Sequence, residues 1–123
     1  MKPRRASGVD VGAAGRLAED LAFTYLQGHG LVPMTRNFRC RLGEIDLIMR
    51  DGDSIVFVEV RLRTPGAHAS AAESIDPRKQ RKIVAAARYF LAGRTEQPCR
   101  FDCVLLERPQ ADAITWIKSA FET

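Results

Sequence analysis

The sequence predicts an α/β protein in which helices flank a mixed β-sheet, with elements in the order α-β-β-β-α-β-β, and three observations predict it. Two segments, one early and one at residues 77–91, carry apolar residues at helical spacing. Five others read as extended, with apolar and polar residues alternating or with short apolar runs. Two of the extended segments meet across a tight Gly-Asp turn signal, whereas the next one is reached only through a helix. The sheet must therefore combine antiparallel neighbours with a parallel pair joined by a right-handed crossover.

A chain of 123 residues fits one domain with one core, so 1–123 is read as a single unit. Met1-Lys2-Pro3-Arg4-Arg5 opens a flexible basic arm over residues 1–10. No apolar stretch there could serve as a signal peptide or span a bilayer, and the expectation is a cytoplasmic protein with no membrane association. The first helix is predicted over 11–26, where Ala14, Leu17, Ala18, Leu21, Ala22, Tyr25 and Leu26 form one stripe and Gly28-His29-Gly30 ends the pattern. Glu19 falls off that stripe and reads as a solvated surface glutamate. Residues 31–40 are extended, with Pro33 marking an edge strand or a strand entrance. Residues 43–50 and 54–63 form a hairpin, and "TPGAHASAAES", 64–74, is a loop of small residues. Asp76 is a predicted N-cap and Pro77 the first residue of a helix that runs to about Leu91 and stops at Gly93. Two further strands, 100–107 and 113–118, are separated by a turn around Pro109.

The three cysteines, Cys40, Cys99 and Cys103, are odd in number and sit in strand-like segments, which is not a disulfide framework. His29 and His68 stand alone and no CxxC spacing occurs, so nothing points to zinc. No serine or cysteine is paired with a candidate base, and a phosphate-cradling glycine loop is absent. A net charge of +4 leans towards a polyanionic partner.

The hairpin "GEIDLIMRDGDSIVFVEVRLR" carries the chemistry. Alternation puts Glu44, Asp46 and Ile48 on one face of its first strand and Ile45, Leu47 and Met49 on the other; Phe57, Glu59, Arg61 and Arg63 share one face of the second. With Gly52-Asp53 as the loop, Asp46 opposes Glu59 and Glu44 opposes Arg61. With Asp51-Gly52 as the loop, Glu44 opposes Glu59 and Asp46 opposes Phe57. The first is preferred because it sets Glu44 against Arg61, although the second has the stronger turn dipeptide. In either register carboxylates converge beside apolar neighbours, which raises their pKa values unless something positive lies among them. Two readings stay open on the residues alone: a charged ladder on the wet face of a half-exposed sheet, or a site for a hard divalent cation, Mg²⁺ or Mn²⁺.

This hairpin, preceded by "GRLAEDLAFTYLQGHGL" and "RNFR" and followed by "RKQRKIVAAARYFL" and "CRFDCV", resembles the YraN family of bacterial proteins, also called UPF0102, over nearly the whole chain. That family in turn resembles archaeal Holliday-junction resolvases and the PD-(D/E)xK nuclease superfamily. The resemblance implies a restriction-endonuclease-like core and a metal site for phosphodiester hydrolysis. It places Glu19 of "GRLAE", Asp46 of "GEID" and Glu59 of "EVR" as metal-binding acids. Arg61 stands where the superfamily has lysine, and Ile45 where it has proline. A guanidinium cannot act as a base, but it can stabilise charge on a phosphate. Lys79, near the start of the second helix, is the candidate substitute base, against a plain reading as a snorkelling lysine. Junction-cutting relatives act as dimers, so a homodimer enters only through the resemblance.

Arg78, Arg81, Lys82 and Arg88 form a stripe on the second helix. With Arg61, Arg63 and the N-terminal arm they predict a basic track for a nucleic-acid backbone, DNA first, and no aromatic residue is evident among them. The expected function is a Mg²⁺-dependent endonuclease acting on structured DNA. The alternative is a catalytically inactive adaptor of the same fold that binds nucleic acid or a protein.

Overall fold

The computed structural model describes residues 6–62 and 75–122, with side chains from residue 12 onward. Along them run helix α1 (Ala6–Gly28), strands β1 (Val32–Cys40), β2 (Gly43–Asp51) and β3 (Ser54–Leu62), helix α2 (Pro77–Leu91), strand β4 (Cys99–Leu106), a 3₁₀ turn (Ala111–Ala113) and strand β5 (Ile114–Phe121). The five strands form one sheet in the order β1-β2-β3-β4-β5. β3 and β4, joined through α2, are parallel, and the other neighbours are antiparallel. Among the described residues, two helices on a mixed five-stranded sheet are consistent with a restriction-endonuclease-like core.

Local chemistry explains the element ends. α1 stops where Leu31 N–H bonds the Leu26 carbonyl and Gly30 N–H the Gln27 carbonyl. Gly30 adopts φ +93°, so this is a Schellman closure, with Leu26 and Leu31 buried in the same cluster. At the head of α2 the Asp76 side chain accepts from Lys79 N–H at 2.8 Å, with Pro77 following as the sequence predicts. β2 and β3 close at Asp51↔Ser54 over Gly52-Asp53, the first of the two registers. Gly52 has φ +60° while Asp53 does not enter the left-handed region, as a type II′ turn requires.

α1 covers one face of the sheet, setting Ala18, Ala22 and Leu26 on Leu47, Val58 and Val104. α2 covers the other, where Ile83, Ala86 and Ala87 meet Ile48, Phe57 and Cys103. The hairpin therefore has no wet face along its core: Phe57 is 1% exposed and Glu59 5%. A helical crossover between parallel strands lays a helix on the sheet, and that overturns the half-exposed ladder.

Other boundaries differ from the sequence reading. α1 begins at Ala6, so 6–10 continue the helix instead of belonging to the arm; Gly8 is too mild a breaker to stop it, and residues 1–5 lie outside the described residues. β3 is described to Leu62, which leaves Arg63 and the loop 64–74 outside the described residues as well. β5 extends to Phe121, whose ring stacks on Phe101 at 5.1 Å. Ile45 packs with Ile48 on the α2 side instead of sharing the face of Leu47 and Met49. Alternation fails there because the ladder is interrupted at Asp46. The β2–β3 register ends at Leu47↔Val58, and across β1 the residue between partners Arg36↔Leu47 and Phe38↔Ile45 is Asn37, with φ 53°.

Candidate acidic site

Beyond Leu47↔Val58 the two central strands diverge, and the Asp46 side chain fills the gap. Its Oδ2 accepts the Val60 N–H at 2.8 Å, a donor that would otherwise serve the sheet ladder. Extending the register by one position sets Asp46 against Glu59. The two carboxyls act on each other's protonation: Asp46 pushes Glu59 up, while Glu59 helps to hold Asp46 down.

Glu59 lies on the central strand beside Cys103 of β4, in a 5% exposed position. Burial pushes its carboxyl up from 4.5 to about 8, Asp46 pushes the same way, and Lys79 and Arg61 only partly offset them. Both cations stand off, with Lys79 Nζ and an Arg61 guanidinium nitrogen each 3.7 Å from Glu59 Oε2. That is too long for a charge-assisted hydrogen bond. Burial also holds Asp46 above the ordinary aspartate value, against the pull of the Val60 N–H. The Cys103 thiol is driven up to about 12, by burial first and then by Glu59, so it is an inert neighbour.

Glu19 is half-buried on α1, and the sequence reading of it as fully solvated does not hold. Its carboxyl is raised by burial and then by Asp46, the strongest of the charges acting on it. Its neighbour Asp20 is occupied elsewhere, paired with Arg36 at 2.6 Å. Among the described residues no three carboxylate, thiol or imidazole side chains converge closely enough to hold a metal ion, so Glu19 is near the pair without completing a cage. The donor set nevertheless fits Mg²⁺ or Mn²⁺, because such ions are commonly held by one or two carboxylates with waters and a substrate phosphate in the remaining positions. Two carboxyls that act on each other's protonation are the groups that a divalent cation would relieve.

Arg78, Arg81, Lys82 and Arg88 are all exposed on α2, but Arg81 and Arg88 line a concavity of about 430 Å³ that also includes Glu122. Lys82 lines a different one, of about 390 Å³, with Lys79, Arg39, Arg41 and Glu44. Arg39 and Arg41 were missed from sequence; the signal was the basic spacing in "RNFRCRLG". Asp102 was also passed over. It is fully buried and satisfied by Arg100 Nε at 3.0 Å, Trp116 Nε1 at 3.0 Å and Ser119 N–H at 2.9 Å, which makes it a pin between β4 and β5.

Fold and site together define a sheet held between two helices, with a buried carboxylate pair approached by cations. The chain belongs to the uncharacterised protein family UPF0102, whose profile matches residues 18–106. It is similar to the UPF0102 protein Nmul_A0195 of Nitrosospira multiformis, with 54% identity over 88% of this chain and 92% of the relative. A UPF0102 protein of Stutzerimonas stutzeri is 50% identical over 90% of this chain and 96% of its own length. A third, HEAR0176 of Herminiimonas arsenicoxydans, is 44% identical over 99% and 94%. Among the described residues no helix is long and apolar enough to cross a membrane.

Proposed function

We propose that this protein binds nucleic acid in the cytoplasm and hydrolyses phosphodiester bonds of structured DNA with Mg²⁺ or Mn²⁺. The observation that carries the reading is the buried Asp46–Glu59 pair, in which Glu59 is held near 8 with Lys79 and Arg61 on its rim. A bound divalent cation would supply Lewis acidity and an activated water. Asp46 and Glu59 would hold it, with Glu19 reaching it through water. The Arg61 guanidinium would take the negative charge of the phosphate. Lys79, on the rigid first turn of α2, would position the attacking water beside Glu59.

The second reading, an inactive adaptor of the same fold, is favoured by arginine at position 61, where the nuclease pattern has lysine. A cleavage assay separates them, using duplex, single-strand, flap and four-way-junction DNA with Mg²⁺ or Mn²⁺. Wild type is expected to cut a branched substrate, Asp46→Ala to cut nothing, and Arg61→Lys to cut at least as well as wild type. Lys79→Ala should lose on the order of 10²–10³ in rate, the cost of one positioned donor. If wild type, Arg61→Lys and Lys79→Ala all bind DNA and none cuts with either metal, the adaptor reading stands and the enzyme reading is lost.

A further inference from the structure

The turn between β1 and β2, residues 40–43, separates two adjoining hollows. On one side is the cavity of about 390 Å³ that Arg39, Arg41, Lys79 and Lys82 share with Glu44. Of its five charged residues only Glu44 is acidic, and Arg39 already engages it at 3.4 Å. Lys79 belongs both to this cavity and to the rim of Glu59, so the hollow adjoins the carboxylate pair. On the other side a hollow of about 380 Å³ is lined by Arg39, Cys40, Arg41, Leu42 and Tyr89. Leu42 and Tyr89 are large apolar groups left 48% and 60% exposed. The walls are fixed: a Cβ on Gly43 would lie 2.7 Å from the Lys82 carbonyl oxygen, so the turn is seated directly on the backbone of α2. Phe38 backs Tyr89 with ring centroids 6.3 Å apart.

A cationic hollow and an aromatic face on either side of one ridge match the two ends of a nucleotide. We propose that the β1–β2 turn seats one unpaired nucleotide of the bound strand, its phosphate among Arg41, Lys79 and Lys82 and its base against Tyr89 and Leu42. Charge complementarity selects the phosphate, and the exposed ring selects a base that is free to leave its stack. Tyr89 follows Arg88 in the sequence but lies 48 residues from Arg41, and only the docking of the turn on α2 brings Tyr89 and Arg41 to one hollow. A substrate preference follows: branched or tailed DNA over blunt duplex. The inference rests on the nucleic-acid reading of the site but not on cleavage.

The test is fluorescence anisotropy in EDTA, with a blunt duplex, the same duplex bearing a single-stranded tail, and the tail alone as probes. Tyr89→Ala is expected to weaken binding of the tailed duplex and the single strand about tenfold, and the blunt duplex little, with Tyr89→Phe restoring wild-type binding. Arg41→Gln with Lys82→Gln should weaken all three probes and flatten the salt dependence, by roughly 0.7 to 0.9 in slope for each phosphate no longer neutralised. If Tyr89→Ala leaves every probe unchanged or weakens all three equally, the nucleotide seat is overturned while nucleic-acid binding survives. If wild type binds none of the probes at low salt, both are overturned. A Tyr89→Ala protein that sediments as monomer where wild type is dimeric would make the hollow an interface between copies and overturn the inference.

Discussion

Replacing Glu59 by glutamine should remove much of the loss of stability that wild type suffers as pH rises from about 5 to 8. The carboxyl titrates at about 8 in the folded protein against an ordinary 4.5, chiefly because it is buried. Below 4.5 it is protonated in both folded and unfolded chains, and its contribution is fully present. Between the two values the folded state keeps a proton that the unfolded state releases, so stability falls with rising pH at up to about 1.4 kcal/mol per unit. Above 8 the contribution is gone, a total of order 5 kcal/mol, comparable to the whole stability of many small domains. Glutamine keeps the shape and has nothing to ionise. Urea unfolding followed by circular dichroism across this range checks it: wild type should slope downward and Glu59→Gln distinctly less, with m unchanged. A divalent cation at about 100 times its dissociation constant should return about 2.7 kcal/mol to wild type at the alkaline end and little to Glu59→Gln. Parallel pH curves for the two proteins would refute the account of Glu59 as a buried, proton-holding acid.

Asp102→Ala should cost about 2–4 kcal/mol, since it leaves the Trp116 and Ser119 donors unmatched in a 0% exposed position and Arg100 with Asp51 alone; thermal unfolding measures this, and a loss under about 1 kcal/mol would show that the pin does not hold β4 to β5. Gly43→Ala should destabilise by about 1–3 kcal/mol by forcing the turn off the Lys82 carbonyl, with a matching loss of affinity for the tailed probe. A Gly43→Ala protein of unchanged stability and binding would mean that the turn is not held where the nucleotide seat needs it.

Much of this is legible in the sequence. The Asp76-Pro77 start of α2 is a local hydrogen bond and a local φ, so it is written in adjacent residues. The same holds for Gly30 at the end of α1 and for Gly52 in the hairpin. The turn fixed the β2–β3 register, and the register set Asp46 against Glu59. Less legible was Ile45, because strict alternation assumes an unbroken ladder and this one opens at Asp46.

What the sequence determined by itself is the set of elements, their caps and a choice between two hairpin registers, all of which depend on neighbours a few residues away. Tertiary structure alone decided how the acids behave. Glu59 is a half-wet ladder residue or a buried acid titrating near 8 according to whether a helix lies over it, and α2 comes from 18 residues further along the chain. Lys79 is a snorkelling lysine on an isolated helix, and it becomes the partner of Glu59 only when α2 is laid on the sheet. Arg41 and Tyr89 share a hollow for the same reason. Hydrogen bonds and dihedrals act over one turn of chain, whereas desolvation and charge act through space, and the space is made only when the helices close on the sheet.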